Sequence, residues 1–281
     1  MAFCDLHIHS YYSDGSDSPR AIVEKAAAIG LRAVALTDHN TAAGLGEFAD
    51  EAARLGINAV AGVELSTLYR EKELHLLGLF IPPEHYKSIE AFTDEYKNLK
   101  TQSNIELISK LCAAGYLLDY AQIEKTAKGN INRAHIAAEL VRLGYIGSIN
   151  EAFDKILAQR HGFYSPPPRP DLFETIAMLR SLSILPVLAH PLQELSADEL
   201  RELLPRAIKA GLVGIEILHS SYSEEQKRIA DEIAKEFNIL ASGGSDYHGN
   251  NKPDISLGTG KGDLQIPEKL YDKLCERSRT L

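Results

Sequence analysis

Apolar and polar positions along this chain fall into two alternating rhythms. Short apolar runs with strand character occupy residues 3–10, 33–37, 59–63, 75–80, 185–189, 213–218 and 240–242. Between several of them, apolar residues recur at helical spacing over 19–29, 45–55, 197–210 and 224–237. The first of these helices has a complete set of end signals, with Ser18 as N-cap, Pro19 at the first helical position and Gly30 just past the end. Seven strand runs separated by helices predict an α/β fold whose parallel sheet closes, or nearly closes, into a barrel. The alternation fails once. From 85 to 165 no strand run occurs, and helices are expected instead over 88–114, 119–128, 133–143 and 150–158, punctuated by Gly115, Gly129 and Gly144. Pro82-Pro83 and Pro166-Pro167-Pro168 bound this stretch. The expected organisation is a barrel domain of 1–84 and 166–281 with a helical insertion, 85–165, whose loops overhang the pocket.

A strand over 3–10 would place Asp5, His7 and His9 on one face, and Leu6 and Ile8 on the other against the helices. Asp14 lies just beyond. Asp38 and His39 follow the second run, Glu64 the third, His190 the fifth, and Asp246 and His248 the seventh. A parallel barrel gathers such strand ends at one rim. His75 is the exception, since it sits near the start of its run; that strand must be short, shifted or reversed if His75 is to join. One histidine pair is a weak signal, but several strand ends carrying His, Asp or Glu are not, because buried charge without a compensating cation is expensive.

Composition narrows the chemistry. Cys4, Cys112 and Cys275 are scattered among 281 residues, which indicates neither a disulfide framework nor a thiolate zinc site. A net charge of -9 argues against a grip on extended duplex nucleic acid. An anionic substrate must then be attracted locally, as bound divalent cations can do. No apolar run approaches the roughly 20 residues of a membrane span, and the N-terminus lacks a basic segment followed by an apolar stretch, so a cytoplasmic protein without a membrane partner is expected.

In order, Asp5-Leu6-His7-Ile8-His9-Ser10 with Ser13-Asp14-Gly15, Thr37-Asp38-His39, Gly62-Val63-Glu64, His75, Ala189-His190-Pro191 and Gly244-Ser245-Asp246-Tyr247-His248 resemble the polymerase and histidinol phosphatase (PHP) family over nearly the whole chain. The resemblance implies a distorted seven-stranded, TIM-like (β/α)7 barrel and a trinuclear metal centre. It makes His7, His9 and Asp246 ligands of one ion, Asp14, His39 and His248 of a second, and His75 and His190 of a third, with Glu64 bridging two. Three divalent ions would outweigh the three carboxylates and suit a phosphate dianion plus a hydroxide. The implied reaction is phosphate monoester hydrolysis by a metal-bridging hydroxide, with Asp246 and His248 at the reacting centre. Imidazole and carboxylate ligands fit manganese, iron or zinc without choosing among them; manganese is the ion expected first.

The helical insertion resembles that of the subgroup that removes the 3'-phosphate from nucleoside 3',5'-bisphosphates, some members also trimming short 5'-phosphorylated RNA. Arg133 and His135, after Asn132, resemble its arginine-x-histidine element at a helix start, where a second phosphate could be held; on the residues alone, a solvated surface Arg133 and a core His135 are the favoured reading. Lys155 and Arg160 are further basic candidates. Asp38 is expected to orient an imidazole from behind. His219 could be a general acid, although relatives carry a histidine slightly later, where this chain has Tyr222. Tyr11, Tyr12 and Tyr247 could stack on a base or simply form the pocket wall. A histidinol-phosphate phosphatase and a non-catalytic nucleic-acid-associated module are the alternatives.

Overall fold

The computed structural model describes residues 3–126, 131 and 133–280. Asn132 and the end of the helix expected over 119–128 lie outside them. Seven strands, β1 (Cys4–Asp5), β2 (Ala33–Leu36), β3 (Asn58–Tyr69), β4 (Lys72–Leu79), β5 (Leu185–Leu188), β6 (Gly214–His219) and β7 (Leu240–Gly244), follow one another in space in chain order. The sheet comes back on itself through Leu6 N–H to Gly243 O at 3.2 Å and His9 N–H to Tyr247 O at 2.9 Å. The fold is thus the expected α/β barrel of seven strands.

Its sheet is not wholly parallel. β4 runs antiparallel to both β3 and β5, while the other neighbours pair in parallel. The cause is the connection. β3 passes into β4 through Arg70 and Glu71 alone, and so short a link can only join antiparallel strands. Arg70 itself takes the left-handed conformation the turn needs, at φ 56°. Reversal carries the start of β4 to the rim, opposite Ser66, two residues past Glu64 on β3. That is how His75 reaches the other candidate ligands.

The first strand departs further from expectation. Ladder pairing ends at Asp5, and Ile8 makes only an isolated bridge to Tyr247. Leu6 packs with Cys4, Ala35, Val60, Leu77 and Val187 in a cluster that draws on successive strands and also takes in Leu270 and Leu274. Asp5 lies on the other side. The carboxylate accepts from Ser245 N–H and Oγ–H and from Gly258 N–H. His7 and His9 therefore enter the site because the backbone leaves strand geometry, not through simple alternation.

Helices α1 (Pro19–Ala28) and α2 (Leu45–Leu55) cover the first strands, and Ser18 caps α1 by accepting from Ala21 N–H as expected. In the second half of the barrel, α8 (Ala197–Ala210) and α9 (Glu224–Glu236) begin with reciprocal capping boxes at Ser196 and Ser223. Two more helices carry no expectation from the sequence: α7 (Leu172–Ser181), capped by Asp171, and α10 (Glu268–Ser278), which buries Leu270 and Leu274 against the barrel cluster. None of the described helices is long and apolar enough to cross a membrane.

By internal contacts the chain forms two compact units, Met1–Ala91 with Pro170–Leu281, and Phe92–Arg169. The first is the barrel. The second takes in most of α3 (Tyr86–Ala113), then α4 (Tyr120–Thr126), α5 (Arg133–Arg142), α6 (Ile149–Ala152) and a wide helical turn over Phe153–Leu157. It has its own core of Leu107, Leu111, Ile123, Ile136, Leu140 and Leu157, fully buried. Truncating one of these leucines to alanine should cost about 2–5 kcal/mol.

Candidate metal centre

All nine expected ligands come from the barrel unit, and the centre forms around Glu64. Its Oε1 lies 2.8 Å from His75 Nδ1 and 3.1 Å from His190 Nε2, and its Oε2 lies 2.9 Å from His39 Nδ1 and 3.3 Å from Nε2 of both His7 and His9. Asp246 stands beside it, with Oδ1 3.3 Å from His9 Nε2 and 3.5 Å from His248 Nδ1. Asp14 closes the far side, 3.2 Å from His248 Nε2 and 3.8 Å from His39 Nε2.

Tight backbone geometry brings these groups together. A Cβ on Gly244 would lie 2.1 Å from His7 Cβ, so only glycine lets β7 pass this close. Asp246 at φ 58° and His190 at φ 28° adopt left-handed conformations that cost non-glycine residues about 1–3 kcal/mol each and collect at functional sites.

Donors do not satisfy this cluster. His9 Nδ1, Glu64 Oε2, His75 Nδ1 and His248 Nε2 are buried and have no hydrogen-bond partner, although other groups crowd them. His7 Nε2 and His9 Nε2 face each other at 3.1 Å. Ligand atoms can be chosen within 4.8 Å of one another in four overlapping sets: His9, Asp14, His39 and His248; His7, His9 and Asp246; His39, Glu64 and His75; and His7, His190 and His219. Nitrogen and carboxylate lone pairs aimed at shared points are what divalent cations require, so these residues fit bound metal.

The charge balance agrees. Burial works against the Glu64 and Asp246 carboxylates, yet the surrounding imidazoles outweigh it and hold both well below the usual range. Asp14 is lowered in the same way, chiefly by His248, whose Nε2 lies 3.2 Å from its Oδ1. Burial likewise opposes the charged form of His7 and His75, but the Glu64 carboxylate reverses the balance, raising His7 well above its ordinary value and His75 to about 10. Protons thus stand in the metal-free chain where cations would.

Supporting groups differ from expectation. Asp38 orients no imidazole; it accepts from Ser10 N–H at 2.7 Å and from the hydroxyls of Ser10 and Ser13, fixing the loop that carries Asp14. An imidazole is instead held from behind by Glu216, which the sequence reading passed over, through His7 Nδ1 at 3.1 Å. Its only local signal is a carboxylate inside an otherwise apolar strand.

His219 also reaches the centre. Ser221 N–H donates to its Nδ1 at 3.2 Å, so the ring proton of the neutral form sits on Nε2, 3.8 Å from Asp246 Oδ2. Burial lowers its pKa to about 4. Lys252, a second unforeseen residue, places Nζ 2.7 Å from the same Asp246 oxygen and is 41% exposed. A cavity of ≈ 300 Å³ lies beside His75 and His190, bordered by Glu73, Gln193 and Glu194.

Other candidates have different surroundings. Tyr247 is wall: it is buried, and its hydroxyl donates to Asp17 at 2.6 Å and accepts from Lys25 at 3.1 Å. Tyr11 and Tyr12 are exposed and stack on each other. Tyr222 is buried and its hydroxyl accepts from Leu192 N–H. Arg133 and His135 belong to the helical unit, where the Arg133 guanidinium lies 4.2 Å from the Tyr164 ring centroid and 5.5 Å from that of Phe153. Burial and nearby Lys100 lower the pKa of half-buried His135. Lys155 pairs with Glu151 one turn back, and Arg160 with Asp154, both at the surface.

The sequence profile of the PHP domain matches residues 5–173, which takes in the first six of these ligands. The chain belongs to the PHP family. Similar proteins share nearly its full length. A 5'-3' exoribonuclease of Haemophilus influenzae is 32% identical over 245 residues, 87% of this chain and 89% of that one. A 3',5'-nucleoside bisphosphate phosphatase of Chromobacterium violaceum is 31% identical over 254 residues, 88% of each. Among solved structures, a protein of Bifidobacterium adolescentis described as a metal-dependent phosphoesterase superposes with a TM-score of 0.76 at 27% identity, covering 98% of this chain and 96% of that one. This PHP chain is a metal-dependent phosphoesterase, and its barrel rim carries the clusters able to hold the metal.

Proposed function

We propose that the chain removes the 3'-phosphate from nucleoside 3',5'-bisphosphates, with three divalent ions, manganese foremost, held by the nine rim residues. The observation that carries this reading is the convergence of five imidazoles on Glu64. His7, His9 and Asp246 would hold one ion, Asp14, His39 and His248 a second, and His75 and His190 a third, with Glu64 shared. When bound, such ions acidify water, clamp phosphoryl oxygens and stabilise the departing alkoxide.

The chain's own groups do the rest. Neutral at ordinary pH, His219 presents Nε2–H beside Asp246 as a hydrogen-bond donor to the leaving oxygen rather than as a general acid. Lys252 lies next to Asp246 Oδ2 and can turn its ammonium to a phosphoryl oxygen. Arg133, with aromatic faces beneath it and no carboxylate pairing it among the described residues, is the proposed holder of the second phosphate. A small nucleotide in a cytoplasmic setting, without membrane or duplex partners, accords with the net charge.

A second reading, trimming of short 5'-phosphorylated RNA, is favoured by the similarity to the Haemophilus exoribonuclease. Phosphate release from adenosine 3',5'-bisphosphate, histidinol phosphate and a short 5'-phosphorylated RNA, measured side by side, decides among them. Faster turnover of histidinol phosphate than of the bisphosphate overturns the proposal, and nucleotide release from the RNA at a higher kcat/KM moves the assignment to the second reading.

A further inference from the structure

Glu216 sits at the irregular point of β6, fully buried, and uses its two oxygens on two different histidines. Oε1 is 3.1 Å from His7 Nδ1, and Oε2 accepts the backbone N–H of His190 at 2.8 Å. An ionised carboxylate can only accept, so His7 must carry its proton on Nδ1. That leaves the Nε2 lone pair facing His9, Glu64 and Asp246. His190 is the residue at φ 28°, ψ 48°, whose unusual backbone sends Nε2 toward Glu64.

We infer that Glu216 is a positioning residue that sets two arms of the metal centre at once, fixing the His7 tautomer through one oxygen and the His190 turn through the other. The inference rests on the reading of His7 and His190 as metal ligands. Carboxylates behind ligating imidazoles commonly govern metal affinity by 10–100-fold.

The test is Glu216→Gln. Glutamine keeps the shape but offers one acceptor oxygen, so its NH2 must face either His7 Nδ1–H or the His190 N–H. Mn2+ titration followed by elemental analysis should show binding about 10–100-fold weaker than in the native chain. Glu51→Gln, which removes another buried carboxylate, one paired with Arg54 on α2, should leave Mn2+ binding unchanged. In the native chain loaded with Zn2+, long-range proton–nitrogen NMR should find the His7 proton on Nδ1. That measurement needs no variant and decides the question if Glu216→Gln does not fold. A native chain that binds neither ion overturns the metal-ligand reading itself. A native chain that binds while Glu216→Gln binds equally well, or a His7 proton on Nε2, overturns only the role of Glu216.

Discussion

Replacing Glu64 by glutamine removes one charge and almost no volume, so it isolates what the shared carboxylate does. Five imidazole nitrogens lie 2.8–3.3 Å from its two oxygens, and none of the other eight rim residues touches so many. Removing a group that merely supports a ligand costs 10–100-fold in metal affinity or activity. Loss of an anion shared by the ions should therefore cost at least about 100-fold, or about 2.8 kcal/mol at 1.4 kcal/mol per tenfold. The barrel should survive, because the β3–β4 ladder and the apolar cluster beneath it do not depend on the carboxylate. Elemental analysis of the dialysed protein, phosphate release from adenosine 3',5'-bisphosphate and a thermal melt by circular dichroism would be measured on the same sample. Glu64→Gln that folds, keeps the native metal content and turns over within about threefold of the native rate would refute the reasoning.

Lys252→Met should lower kcat/KM by about 10- to 100-fold with metal content intact, from the roughly 1.5–3 kcal/mol of a hydrogen bond to a charged group; unchanged kcat/KM would remove Lys252 from the phosphate site. His219→Asn should reduce kcat by about 10²–10³-fold with little change in KM if Nε2–H stabilises charge on the leaving oxygen, and a drop smaller than about threefold would exclude that role. The metal-free chain should show its own pH profile. Stability from His75 is fully present below its ordinary value of 6.5 and lost as pH rises through about 10, and that from His7 is lost in the same direction. Stability from Glu64, Asp14 and Asp246 is present above their ordinary 3.8–4.5 and lost as pH falls through their lowered values. The melting temperature without metal should accordingly peak between about 4.5 and 6.5, and the gain on adding Mn2+ should widen toward pH 10 as the ion displaces protons. Equal gains at pH 6 and pH 9 in differential scanning fluorimetry would contradict this.

The rim residues were legible because metal chemistry restricts residue type and barrel topology restricts position; both constraints act locally, on short motifs at strand ends. Where the reading went astray, the missing information was not local. The β3–β4 hairpin has no Asn-Gly or Asp-Gly at its turn, and Arg70 takes the left-handed position instead, so only the misplacement of His75 within its run hinted at a reversed strand. At β1 the alternation argument assumed a ladder that in fact ends at Asp5; beyond it the carbonyl of His7 accepts from Asp246 N–H. The N-cap of α7 is Asp171, hidden behind the proline-rich stretch that reads as irregular chain. Glu216 shows most clearly where the limit lies. A carboxylate within Gly214-Ile215-Glu216-Ile217-Leu218 is costly to bury alone, by the same argument that pointed to a cation near the histidines. The strand therefore signals that a donor waits across the barrel, but that the donor is His7, 209 residues earlier, follows only from closure of the sheet. Local physics can say that a partner must exist, and topology alone says which residue it is.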